Sequence, residues 1–81
     1  MNILLVDDDA AIRESVSSFL KQLGYQVLSC GDGREALALM EEKLTHLVLS
    51  DIMMPYLNGH ELLKRIRENP KFQDVAVVLF T

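Results

Sequence analysis

Ile3-Leu4-Leu5-Val6 followed at once by Asp7-Asp8-Asp9 decides how this chain reads. A short, continuously apolar run is what a strand buried on both faces shows. Three adjacent acids repel one another, and a fold that gathers them at a strand end offsets the repulsion with a cation or uses the acids to cap a helix. A second run, Leu47-Val48-Leu49-Ser50, stops in the same way at Asp51. If the two runs are neighbouring parallel strands, Asp7, Asp8 and Asp51 converge at one edge of the sheet. Such an edge suits a hard divalent ion and a phosphoryl group.

Outward from these two runs, strand and helix alternate. Between Ala10 and Gln22 the apolar positions Ile12, Val16, Phe19, Leu20 and Leu23 form a helical stripe, with Arg13, Glu14, Ser17, Ser18 and Lys21 expected to face solvent. Asp9 is the expected N-cap, and Gly24 supplies the left-handed stop. Gln26 to Ser29 reads as a second strand. Gly31-Asp32-Gly33 is a turn opening a second helix, Arg34 to Lys43, with Ala36, Leu37 and Met40 on its inner face. The third strand, Leu47 to Ser50, leads through a loop over 52–58 into a third helix, Gly59 to Glu68, buried through Leu62, Leu63 and Ile66. Asn69-Pro70 ends it, and Val75 to Phe80 is a fourth strand. Four strands joined by helical crossovers imply an α/β fold, a doubly wound parallel sheet with helices on both faces.

In such sheets ligands bind beyond the carboxyl ends of the strands, where the strand order reverses. In a 2-1-3-4 order the first and third strands would be neighbours, and the acids would meet at that switch point. Mg²⁺ takes carboxylates, waters and phosphate oxygens in octahedral geometry, and the constellation supplies that donor set. In the loop Asp51-Ile52-Met53-Met54-Pro55-Tyr56-Leu57-Asn58-Gly59, the proline stiffens the turn and the glycine permits a close backbone approach at the next helix start.

The 81 residues make one small domain with a single core; 49% are hydrophobic and 25% charged, an ordinary globular balance. A net charge of -4 argues against direct nucleic-acid contact by this segment. Cys30 is the one cysteine, so no internal disulfide forms, and it reads as a small, partly buried thiol in a reducing compartment. The opening run lacks a basic flank and is too short for a signal peptide, and no stretch reaches the roughly 18 apolar residues of a membrane span. A cytoplasmic location is the expectation.

The acid triplet, the Asp51 loop and the closing run Val77-Val78-Leu79-Phe80-Thr81 together resemble the receiver domains of bacterial two-component response regulators, over the whole of 1–81. That resemblance implies a flavodoxin-like fold and a phosphoacceptor module. Asp51 would take a phosphoryl group from the phosphohistidine of a sensor histidine kinase or phosphotransfer protein. Asp8 would ligate Mg²⁺ directly, Asp7 mainly through water, and the Met53 carbonyl would be a further ligand. Thr81 would supply the hydroxyl that closes on the phosphoryl oxygen. The module would not be a turnover enzyme beyond its own phosphorylation and acyl-phosphate hydrolysis.

The family also has a fifth strand, further helices and a lysine after that strand. None of these is found among the 81 residues, so the chain reads as a partial receiver domain. Lys64, Arg67 and Lys71 read as solvated surface charges instead. The fourth strand is then an apolar edge, prone to self-association. Two rivals stand beside the receiver reading. One is an interaction module that keeps the fold without phosphorylation. The other is a hydrolase of the haloacid dehalogenase type, with Asp7 as nucleophile and Asp9 as general acid. His46 and His60 lack ligand spacing and read as surface or capping residues. Met40, Met53 and Met54 read as core fillers or loop lining, and Tyr56, beside Asp51 on the loop, fits either simple exposure or gating of the acid site.

Overall fold

Short apolar runs punctuated by caps and turns give a four-stranded parallel sheet in the order β2-β1-β3-β4. The computed structural model describes residues 1–80. In chain order the elements are β1 (Asn2–Val6), α1 (Ala10–Gln22), β2 (Gln26–Cys30), α2 (Gly33–Glu42), β3 (Leu47–Asp51), α3 (Gly59–Glu68) and β4 (Ala76–Phe80). A single 3₁₀ turn, Pro70–Phe72, precedes β4 and was not foreseen. Asn69 caps it by accepting from the Lys71 N–H, and Pro70 suits its first position. The expected order, parallel sense and α/β class are all present.

Register sets what lies on each face. Val6 pairs with Cys30 and Ser50, and Leu4 with Leu28 and Val48. Leu4, Val6, Val48 and Cys30 join Ala36 and Met40 of α2 and Leu62 and Ile66 of α3 in one core, closed by Phe72 and Val75. The opposite face, Ile3 and Leu5, is buried beneath α1, which packs on β1 and β2. Along β3 burial alternates: Val48 and Ser50 are buried, while Leu47, Leu49 and Asp51 on the α1 side are half-buried. Coverage therefore thins from β1 toward β4, where Val78 is 49% exposed.

The stripe expected on α1 needs correction. Ile12, Phe19 and Leu23 are exposed, whereas Ser17 is buried and Arg13, Val16 and Leu20 are half-buried. Positions 13, 16, 17 and 20 form the inward row at the proper helical spacing. Two causes are visible. The small Ser17 lets the helix sit close to the strands, and the Arg13 Nη1 donates to the Asp7 carbonyl oxygen at 2.7 Å, which turns that residue inward. Arg67 is corrected as well. Although exposed, its guanidinium donates to the carbonyl oxygens of Gln73 (3.1 Å), Phe72 (3.4 Å) and Val75, and so ties α3 to the segment entering β4. Lys71 pairs with Glu41 at 2.9 Å in a solvent-exposed bridge.

Local chemistry ends the elements where expected. Asp9 is the N-cap of α1, and Gly24 follows its C-cap at φ 97°, a conformation that glycine adopts without steric cost. Asn58 and Glu61 form a reciprocal capping box at the start of α3. His46 is exposed, and its Nδ1 accepts the Asn2 N–H at 2.9 Å where β1 begins.

Candidate functional site

The acid cluster is assembled by strand pairing. β1 and β3 are adjacent, and Asp7 follows the last β1 residue while Asp51 is the last residue of β3. One carboxylate oxygen from each of Asp7, Asp8 and Asp51 lies within 4.8 Å of the other two. Asp7 is buried, Asp51 half-buried and Asp8 exposed, so the cluster forms a cup opening to solvent at the carboxyl ends of the strands.

Each acid has a distinct local role. The Asp7 Oδ1 accepts the Asp9 N–H at 2.9 Å; its backbone N–H donates to the Cys30 carbonyl oxygen at 3.1 Å, and its own carbonyl receives Arg13. The Asp7 backbone is thus held on both sides, and its carboxylate is oriented by the Asp9 N–H. Asp9 is turned the other way: its Oδ1 accepts the N–H groups of Ala11 (2.9 Å) and Ile12 (3.2 Å). Capping thus explains Asp9 alone and leaves the other three acids clustered. An Asp9 committed to the helix is poorly placed as a general acid, which weighs against the hydrolase arrangement.

Burial raises the pKa of Asp7 above its usual 3.8, and the charges of Asp51, Asp8 and Asp9 raise it further. The Asp9 N–H works in the opposite direction and does not cancel these effects. A buried carboxylate facing two more has an electrostatic demand that a cation would satisfy. The donors are hard oxygens, converge from two strands and stay open on one side. They could hold a metal ion.

Asp51 is set by its loop. Its Oδ1 accepts the Met53 N–H at 3.2 Å, and its carbonyl oxygen accepts from the Ser50 hydroxyl at 2.9 Å. The Gly59 N–H donates to the Ile52 carbonyl oxygen at 3.0 Å. A Cβ at Gly59 would come within 2.5 Å of the Asp51 carbonyl oxygen, so the start of α3 is pressed against the end of β3. Met53 meets Asp51 through its amide and is 76% exposed; Met54 by contrast is buried. Thr81 lies outside the described residues.

The profile of the response regulator receiver domain matches residues 3–81. The chain belongs to that family. This receiver chain is 40% identical over 82 aligned positions to response regulator Rre1 of Synechocystis sp., an alignment covering the whole chain and 36% of Rre1. Among solved structures it is similar to the chemotaxis protein CheY4 of Vibrio cholerae, with TM-score 0.92 and 35% identity over 96% of this chain and 65% of CheY4. It is similar too to the response regulator TrrA of Thermotoga maritima, solved in complex with Mg(2+)-BeF, with TM-score 0.89 and 36% identity over 96% of this chain and 66% of TrrA. The receiver chain thus spans about a third of Rre1's length and just under two thirds of the two solved chains. No helix among the described residues is long and apolar enough to cross a membrane.

Three features of the site were not read from the sequence. The Asn58-x-x-Glu61 spacing carries a capping-box signature that was available. Arg13 gave no such signal, because its bond to the Asp7 carbonyl depends on how α1 is turned. The placement of the Arg34 guanidinium over the Tyr56 ring, 4.0 Å from its centroid, is likewise tertiary.

Proposed function

We propose that the chain is a phosphoacceptor module of a two-component signalling system, taking a phosphoryl group onto Asp51 in a Mg²⁺-dependent step. The donor is the phosphohistidine of a sensor histidine kinase or phosphotransfer protein, and the place of action is the cytoplasm. The observation that carries this reading is the convergence of Asp7, Asp8 and Asp51 within 4.8 Å in a receiver-family chain. Oxygen ligands about 2.1 Å from one Mg²⁺ stand at most about 4.2 Å apart, so a small inward movement of the cup suffices. Asp8, Asp51 and the Met53 carbonyl would hold the ion directly, and Asp7 mainly through a bound water. Bound there, Mg²⁺ supplies the positive charge that lets an anionic nucleophile approach an anionic phosphoryl group.

The chain's own residues do the rest. A carboxylate oxygen of Asp51 forms the new O–P bond while the N–P bond of the phosphohistidine breaks, its electron pair returning to the imidazole nitrogen. The Met53 N–H holds the Asp51 carboxylate in one orientation, which removes a rotational search from the step. Asp7, pinned by the Asp9 N–H and held by Arg13, keeps its charge fixed behind the reacting group. The product is an acyl phosphate, reactive toward water, so the mark resets itself. Its added charge attracts a hydroxyl through a charge-assisted hydrogen bond, the role this reading gives Thr81. Apart from this self-phosphorylation and hydrolysis the module turns over no substrate.

The test is site-specific labelling. Incubation with acetyl phosphate and Mg²⁺, followed by peptide mapping, places a base-labile phosphoryl group on Asp51 and none on the Asp51→Asn variant. Labelling of Asp7 would restore the hydrolase reading. Mg²⁺ binding without any adduct would leave a non-phosphorylating interaction module.

A further inference from the structure

The β3–α3 connection is held on two sides. At its α3 end Gly59 presses on the Asp51 backbone, as described. On its other side the connection meets the first turn of α2. A Cβ at Gly33 would lie 2.9 Å from both the carbonyl oxygen and a side-chain methyl of Leu57, so the two backbones nearly touch. One residue earlier, Tyr56 has φ 65°, the one positive value among the described non-glycine residues. Asparagine or glycine would adopt that conformation at lower cost, and a bulky aromatic is the unusual choice. Burial does not account for the choice, since Tyr56 is 75% exposed.

What the ring gains is Arg34. The guanidinium carbon stands 4.0 Å from the ring centroid, a cation–π stack. Arg34 is anchored in turn on α2: its Nη2 lies 3.9 Å from the Asp32 carboxylate, which also accepts the Arg34 and Glu35 N–H groups as the N-cap. The segment fastened by this stack carries Met53, whose N–H orients the Asp51 carboxylate.

We propose that Tyr56 and Arg34 are positioning residues for the Asp51 site: their stack locks the β3–α3 loop onto α2 and thereby keeps the Met53 amide on Asp51, within reach of Asp7 and Asp8. The inference rests on the reading of Asp51 as a metal-assisted phosphoacceptor. The lock itself can be measured without metal.

The test compares Tyr56→Asn, which suits the left-handed backbone but lacks the ring, with Arg34→Met, which keeps the aliphatic stem but not the charge. Met53 amide exchange in the metal-free protein is followed by NMR, and Mg²⁺ affinity by titration. Both variants accelerate Met53 exchange and weaken Mg²⁺ binding by about threefold, and the double variant is no worse than either single one. Tyr56→Phe stays near wild type on both readouts. Tyr56→Asn melts no lower than wild type because backbone strain is relieved. A stack that serves general stability would instead lower the melting temperature and leave Met53 untouched. Met53 exchange unchanged in both single variants overturns the proposal. A wild-type chain that fails to bind Mg²⁺ overturns the phosphoacceptor reading instead, and the exchange result still decides the lock.

Discussion

Gly59→Ala is the substitution that most sharply probes how the Asp51 loop is built. Its new methyl would sit 2.5 Å from the Asp51 carbonyl oxygen and 2.9 Å from the Ile52 Cα. Restoring an ordinary 3.4 Å contact requires a shift of about 0.9 Å, and both obstructing atoms are backbone rather than a flexible side-chain end. Overpacking of this kind costs about 1–3 kcal/mol. The reduced entropy of the unfolded alanine chain offsets about 0.4–1 kcal/mol of that. The net loss is at most about 2.6 kcal/mol and centres on about 1.3 kcal/mol, which in a domain of this size lowers the melting temperature by about 5–10 °C. Urea unfolding followed by far-ultraviolet circular dichroism measures it. Gly31→Ala is the control, since its Cβ would meet the nearest atom, Arg13 Nη1, at 3.6 Å, and its stability stays within about 0.5 kcal/mol of wild type. The shift should also displace Asp51 and weaken Mg²⁺ binding in Gly59→Ala alone. A Gly59→Ala chain as stable as wild type, with undiminished metal affinity, would refute the close approach as the feature that sets Asp51.

Two further outcomes follow from the buried titratable groups. Asp7 is raised above 3.8 chiefly by burial, so the folded chain retains a proton there at pH values where the unfolded chain has lost it. Its contribution to metal-free stability is complete below the unfolded value and declines as pH rises through the raised folded value. Asp7→Asn, which keeps an oxygen for the Asp9 N–H, removes that decline; its stability advantage over wild type should grow from acid to neutral pH and reverse when Mg²⁺ is added. Equal pH profiles for the two proteins would contradict this. Cys30 is buried and pushed up to about 12, so iodoacetamide should leave it unmodified near neutral pH until the fold is opened with urea. Modification of the native protein at the rate of a free thiol would count against its burial.

The sheet was legible because its strands are continuous apolar runs separated by strong punctuation. Ile3-Leu4-Leu5-Val6 and Leu47-Val48-Leu49 admit few other readings, and Gly24, Asp9 and Asn69-Pro70 act through local backbone chemistry that needs no tertiary information. Convergence of Asp7, Asp8 and Asp51 was legible only under an assumed 2-1-3-4 order, which the structure has and which makes β1 and β3 neighbours. The orientation of α1 was not. Its apolar residues cover more of the helix than the sheet beneath it can bury, and the choice between two overlapping stripes falls to Arg13, which donates to the Asp7 carbonyl oxygen just past β1, and to Ser17, small enough to be buried against the sheet. Arg67 escaped for a similar reason: a charged side chain that satisfies backbone carbonyls across a turn looks, in one dimension, like any surface arginine. Periodicity reports the face a helix could bury, while the sheet's extent selects the part it does bury.

The account depends on three carboxylates from two strands sharing one cation, and NMR observation of the aspartate side-chain carbons during a Mg²⁺ titration tests that most directly. It predicts that the signals of Asp7, Asp8 and Asp51 shift along a single binding curve while that of Asp9, committed to the α1 cap, stays in place. Independent curves for Asp8 and Asp51, or a response confined to one of them, would contradict it.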